Sequence, residues 1–233
     1  MPWNFSSDWV LKLFVFDWNG VLLSDVQANR IADNAITTAF GGKAVGLKTY
    51  RETAIIPSDA FYIQHGADKE ELERNPGKAA RIFTEVYEPL ADKCHLRKSA
   101  RQLLGFLAKQ KISMIILSNH PTDKIIKQLN RLQIRQFFEE VLGKDSQVAS
   151  ISAKNFSKKQ GKLKNYLLSK SFLQKEIAII GDSPEEIEIG KGFEIKTIAI
   201  IGGLYSTERL KNAKPDFVIK ELGEIITKKR ILE

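Results

Sequence analysis

The sequence predicts an α/β protein: a three-layer core on a parallel sheet, with a separate helical domain inserted after the first strand. Three observations lead there. Short apolar runs recur along the 233 residues with helical patterns between them, the alternation that parallel sheets produce. The alternation lapses between Ser24 and Asp92, where helical patterns follow one another without a strand. Three of the apolar runs end in polar, chemically capable residues, at the strand ends where parallel sheets bind ligands.

The first strand is LKLFVF (11–16). DVQANRIADNAITTAFGG (25–42) reads as a helix with Ile31, Ala35 and Ile36 on its apolar side and Gly41–Gly42 as its stop. PSDAFYIQHG (57–66) reads as a short second helix capped by Ser58 or Asp59, and GKAARIFTEVYEPLAD (77–92) as a third following Pro76–Gly77. SARQLLGFLAKQ (99–110) starts at Ser99 as N-cap and repeats Leu103, Leu104 and Leu107 at helical spacing. ISMIIL (112–117) is the second strand, and PTDKIIKQLNRLQI (121–134) puts Pro121 at the first position of a helix. A weaker FFEEVLG (137–143), then IAIIG (177–181), KTIAII (196–201) and DFVI (216–219) supply the remaining strands. The expected division is a core of 1–23 and 93–233 and a helical domain of 24–92.

A hydrophobic share of 43% with 27% charged residues is that of an ordinary globular chain able to bury a core. The single cysteine, Cys94, excludes an intrachain disulfide. No apolar stretch approaches the roughly 20 residues that span a bilayer. MPWNFSSDWV lacks a basic start and the run after it contains Lys12, so no signal peptide and a cytoplasmic location are expected. The net charge of +8 is concentrated in KNFSKKQGKLKNYLLSK (154–170) and KKR (228–230). This reads as a solvated lysine-rich face that also attracts phosphorylated small molecules. It has none of the interleaved aromatics of single-strand nucleic-acid binders.

Asp17 follows the first strand, Ser118–Asn119 the second, and Asp182 stands directly after IAIIG within IAIIGDSPEE. Two carboxylates brought together repel unless a cation lies between them. Oxygen ligands of this kind suit a hard divalent ion, and Mg²⁺ is expected.

Together these motifs resemble the haloacid dehalogenase superfamily, in its phosphoglycolate-phosphatase-like branch. Its first motif, an acid followed by x-D-G-T-L or a near variant, stands here as DWNGVL (17–22); its second as LSN (117–119); its acidic loop, commonly GDSxxD, as GDSPEE (181–186). The resemblance extends over essentially the whole chain and implies a Rossmann-like core whose helical insertion is a cap closing over the site. It further implies that Asp17 is a nucleophile forming an aspartyl-phosphate. Asp17, Asp182, Glu186 and the main-chain carbonyl of Asn19 would surround Mg²⁺. Ser118, the main-chain N–H of Asn119 and the Gly20 turn would hold the phosphate, and a lysine opening the preceding helix would neutralise charge. Lys159 stands at the usual distance, Lys158 beside it, with Lys162 and Lys154 as further candidates. Arg51 and His65 are candidate substrate contacts from the cap.

Two positions depart from the pattern. Glu186 replaces the usual Asp of the acidic loop and is expected to act through a metal-bound water, with Ser183 as partner. Asn19 stands where family phosphatases carry the acid that protonates the leaving group. An amide cannot titrate, and general acid–base help is worth about 10²–10⁴-fold. Four consequences remain open: slow turnover, preference for good leaving groups, recruitment of another group such as His120, or binding without turnover. The leading expectation is a Mg²⁺-dependent phosphatase of a small phosphorylated metabolite, as a monomer or weak homodimer. The alternative is an impaired phosphate-compound or polyanion-binding protein of the same fold. A nucleic-acid-end phosphatase is a lesser variant, and the phosphate-type acidic loop speaks against a dehalogenase.

Overall fold

The computed structural model describes the backbone of residues 10–144 and 156–233, and all side chains of these except those of 156–158. Six parallel strands form one sheet: β1 (Leu13–Phe16), β2 (Ser113–Pro121), β3 (Glu140–Lys144), β4 (Ile177–Gly181), β5 (Lys196–Ile200) and β6 (Phe217–Ile219), in the order β3-β2-β1-β4-β5-β6. β1 lies at the switch point, paired with β2 on one side and β4 on the other. That position is where a parallel sheet opens a crevice beyond its carboxyl ends.

Strand β1 is buried on both faces, as its unbroken apolar run requires. Alternation sends Phe14 and Phe16 to one side and Leu13 and Val15 to the other. The first pair packs with Met114, Ile116, Ala178 and Ile180 under α6 (Ala100–Lys109) and α7 (Thr122–Arg131). The second packs with Ile115, Ile179, Leu163 and Tyr166 under α8 (Phe156–Leu168) and with Ile189 of α9 (Pro184–Gly192). Leu103, Leu104 and Leu107 of α6 are fully buried, each stabilising the fold by about 1.5–3 kcal/mol. This is the three-layer α/β core expected from the sequence.

Five helices occupy the interval between β1 and α6: α1 (Val26–Ala39), α2 (Leu47–Thr53), α3 (Asp59–Gln64), α4 (Lys69–Arg74) and α5 (Pro76–Ala91). They have their own apolar clusters, one around Ile36, Phe40, Tyr50, Phe61 and Tyr62 and another of Ala28, Ala32, Tyr87 and Ala91. The two chain crossings into this lobe run side by side. Ser24 donates to the His95 carbonyl and Arg97 to the Leu22 carbonyl, both at 2.9 Å.

Several local expectations are corrected. Three helices were expected in the lobe; α2 and α4 are additional, short and without a strong apolar stripe. Ile31 is 41% exposed, and α1 instead buries Ala32, Asp33 and Asn34. The polar pair is tolerated because hydroxyls and a backbone loop meet it: Tyr50 and Tyr62 donate to Asp33, and Asn34 bonds both ways with Val45. Ser99 holds the N-cap position of α6 but, at φ +63°, its side chain accepts no cap bond. Ser58 precedes α3, likewise without a side-chain cap. Pro121 ends β2 and precedes α7, because β2 continues through a register slip between Leu117 and Pro121. β3 begins only at Glu140, Phe137 being in a single 3₁₀ turn. Among the described residues, no helix is long and apolar enough to cross a membrane.

Candidate active site

The pairing register sets the site. Phe16 lies beside Ile116 and Ile180, so Asp17 emerges between Leu117 of β2 and the end of β4, with Ser118 next along β2 and Asp182 just past β4. The Asp17 amide is tied to the Ile180 carbonyl at 3.0 Å, and its carboxylate accepts from the Trp18 amide at 2.7 Å. Trp18 is fully buried and donates its indole N–H to Gln128 at 2.5 Å, anchoring the turn. Gly20 is required twice over. Its φ is +69°, and a Cβ there would stand 2.0 Å from Asp182 Oδ2. Gly203, in the loop after β5, approaches the same oxygen equally closely.

Asp17, Asp182 and Glu186 each place a carboxylate oxygen within 4.8 Å of the others, and all three are buried. Asp182 is fully buried. One oxygen accepts the Leu204 amide at 2.6 Å, while the other has no partner. Burial, reinforced by Glu186, pushes the Asp182 carboxyl up to about 7. Burial also raises Asp17 well above the ordinary range, against the pull of Lys159. Three clustered oxygens with an orphaned lone pair fit a hard divalent cation.

Lys159 supplies the positive charge. Its ammonium lies 3.6 Å from Asp17, 3.5 Å from Glu185 and in direct contact with Glu186. Burial alone would lower its pKa, but Asp17, Glu185 and Glu186 outweigh that and hold it protonated. Of the other lysine candidates, Lys162 donates to the Gly143 carbonyl of β3. Lys158 lies on α8 with only its backbone described, and Lys154 lies outside the described residues.

The acidic loop opens α9 with Ser183 as N-cap, accepting the Glu185 amide at 3.1 Å. Ser183 in turn donates its hydroxyl to Glu186 at 2.7 Å, so Glu186 is held by Ser183 and Lys159 together. Ser118 is buried, its hydroxyl oxygen accepting the His120 amide at 3.2 Å. The Asn119 side-chain amide donates to Glu185 at 2.8 Å.

Asn19 faces the lobe. Its Nδ2 donates to Asp25 and to the Tyr87 hydroxyl, both at 2.6 Å. Asp25 is fully buried and also accepts from Gly20 N, Asn29 Nδ2 and Tyr87 OH. His120 is buried with its ring 5.2 Å from that of Tyr87, and its Nε2, 3.5 Å from Glu88, makes no hydrogen bond. Burial pushes His120 down to about 4, so it is neutral near pH 7. Arg51 reaches across to the core, donating to the Gly203 and Gly202 carbonyls at 2.9 and 2.7 Å. His65 stays within the lobe, hydrogen-bonded to Thr53 at 2.9 Å.

Four participants were absent from the sequence reading: Glu185, Asp25, Tyr87 and Arg97. Arg97 clamps the loop after Asp17 by donating to the Gly20 carbonyl at 2.6 Å and the Ile201 carbonyl at 2.7 Å. Glu185 sits inside the quoted GDSPEE motif and Asp25 six residues after Asn19, so both were adjacent to a recognised signal.

Comparison with known proteins bears on the family and the fold. A phosphoglycolate phosphatase of Vibrio cholerae is 27% identical over 93% of this chain and 96% of that protein. One from Pseudomonas fluorescens is 22% identical over 92% of this chain and 78% of its own length. Among solved structures, one described as a predicted phosphatase from Clostridium acetobutylicum matches with a TM-score of 0.76 at 16% identity, covering 94% of this chain and 98% of that one. A predicted phosphoglycolate phosphatase from Haemophilus somnus matches at 0.68 and 18% identity, with 94% and 98% covered. At these identities the structural matches speak for the fold alone. The family model for haloacid dehalogenase-like hydrolases matches residues 14–200, four-fifths of the sequence, and the chain belongs to that family.

Proposed function

We propose that this hydrolase is a Mg²⁺-dependent phosphatase of small phosphorylated metabolites, working through an aspartyl-phosphate on Asp17. The observation that carries the reading is the convergence of Asp17, Asp182 and Glu186 beside Lys159 at the carboxyl ends of the central strands. Asp17 attacks phosphorus, its oxygen forming a new P–O bond as the bond to the leaving oxygen breaks. Lys159, Ser118 and Asn119 hold the transferring oxygens as charge develops on them. Water then attacks the phosphorus and releases phosphate, regenerating Asp17. Asp17, Asp182, the Asn19 carbonyl and Glu186 would hold Mg²⁺, which would supply charge neutralisation between the carboxylate and the phosphate.

Asn19 brings no proton to the leaving oxygen, and its amide is already committed to Asp25 and Tyr87. The reading therefore favours substrates whose leaving groups need little protonation. The phosphoglycolate phosphatases among the relatives put two-carbon and three-carbon phosphorylated acids first in a panel. The helical lobe acts as the cap in this reading, linked to the core by Arg51 and by Arg209, which lies after β5 and donates to the Ala54 carbonyl of the lobe. A second reading, binding without turnover, draws on the same Asn19 observation.

The test is phosphate release from a panel of phosphorylated metabolites with Mg²⁺, wild type beside Asp17→Asn, and with EDTA. Release that stops in both controls supports the phosphatase. Release that survives Asp17→Asn would overturn it, and no release from any substrate with retained phosphate binding would favour the second reading.

A further inference from the structure

Glu185 is a buried carboxylate for which the reaction above has no use. It is 5% exposed, on the first turn of α9. One oxygen accepts the Asn119 amide at 2.8 Å and lies 3.5 Å from the Lys159 ammonium; the other is buried without a partner. Asn119 comes from β2 and Lys159 from α8. The carboxylate thus bridges two elements, at the Lys159 ammonium that an incoming phosphate needs and at the side chain of Asn119, whose main-chain N–H is the expected phosphate donor.

Resting on the phosphatase reading, we propose that Glu185 is an internal competitor for the substrate's phosphate, occupying the Lys159 ammonium and the Asn119 side chain until the phosphate displaces it. Lys159 already answers to Asp17, Glu185 and Glu186. A phosphate dianion on the same donors would meet the Glu185 charge within about 4 Å, a repulsive separation at any interior dielectric. The phosphate therefore binds only as Glu185 releases its two donors and turns aside. The device weakens the hold on phosphate in every state that presents these donors, including the product state. It promotes departure of inorganic phosphate after turnover, when nothing but phosphate holds the product in place.

The test is a calorimetric titration of inorganic phosphate into the full chain with Mg²⁺, wild type beside Glu185→Gln and Glu185→Ala. Product inhibition by phosphate and thermal melting are measured on the same samples. Both variants are expected to bind inorganic phosphate roughly tenfold more tightly or better, with the inhibition constant falling in parallel, since charged hydrogen bonds are the strong ones. A glutamate that merely props up Lys159 predicts the opposite. Both variants would then melt lower and bind phosphate no more tightly, and that result would overturn the proposal. Wild type that hydrolyses substrates while the Glu185 variants keep its phosphate affinity sinks the competitor alone. Hydrolysis that persists in Asp17→Asn sinks the phosphatase reading instead.

Discussion

Two buried acid sites in this molecule handle the same physical problem in opposite ways. In the helical lobe, Asp33 is almost fully buried, and both its oxygens are filled: Tyr50 donates to one at 2.6 Å and Tyr62 to the other at 2.8 Å. In the core, Asp182 has one oxygen satisfied and one orphaned, with Asp17 and Glu186 crowded beside it. Burial raises both carboxyls, Asp33 to about 6 and Asp182 to about 7. Neutral donors from the lobe's own aromatic cluster complete Asp33, which needs nothing further. The core group is left incomplete and surrounded by like charge, the arrangement that a cation and a phosphate would complete.

The largest expected effect separates the two at once. Asp17→Asn should lower phosphate release by ~10³-fold or more while barely altering the melt. Asp33→Asn should leave release within a few-fold of wild type. Equal losses in the two variants would mean that the lobe acid is part of the chemistry.

The pH dependence of stability comes next. The Asp33 pKa is higher in the fold than its ordinary 3.8, so the fold binds this proton more tightly than the unfolded chain does. Its contribution is fully present below about pH 4 and is lost as pH rises through about 6. The integrated change is about 3 kcal/mol. Denaturant melts between pH 4 and 8 should show this decline in wild type and a flatter profile in Asp33→Asn. An unchanged slope in the variant would place the decline elsewhere.

Divalent cation should act on the core site only. Mg²⁺ well above its dissociation constant should stabilise the chain by about 2–3 kcal/mol. The shift should be larger at pH 8 than at pH 6, because Asp182 must give up its proton to bind. Melts with Mg²⁺ or EDTA check this. Asp182→Asn should abolish the shift and Asp33→Asn should preserve it.

The comparison also shows what the sequence could reveal. The β1 run, its terminal Asp17 and the GDSPEE loop were legible because strand apolarity and strand-end acids are local signals. Lys159 was legible by its spacing from Asp182, and the structure brings it to Asp17. The lobe was less so. Periodicity put Ile31 on the buried face of α1, whereas Asp33 is buried in its place. The reason is not local: Tyr50 and Tyr62 arrive from 17 and 29 residues away. Glu185 was passed over for a similar reason. Its partners Asn119 and Lys159 are 66 and 26 residues distant in sequence, so only the fold distinguishes it from an exposed acid opening a helix.

The smallest effect addresses why residue 19 is an amide. Asn19 Nδ2 donates to Asp25 at 2.6 Å, and Asp25 is fully buried. An aspartate at position 19 would set two carboxylates against each other with no cation between them, so Asp25 demands a donor there. Asn19→Asp should therefore destabilise the chain by about 1–3 kcal/mol without restoring efficient turnover. The exchange Asn19→Asp with Asp25→Asn reverses the donor and acceptor across the same contact. It should recover about 1–2 kcal/mol of that loss as coupling energy. It also returns an acid to the position two residues after Asp17, so under the phosphatase reading hydrolysis of substrates with poor leaving groups should rise above wild type. Melts and leaving-group series on the two single variants and the double variant decide the matter. If Asn19→Asp alone melts like wild type, Asp25 does not dictate the amide, and the departure at position 19 has another origin than this buried pair.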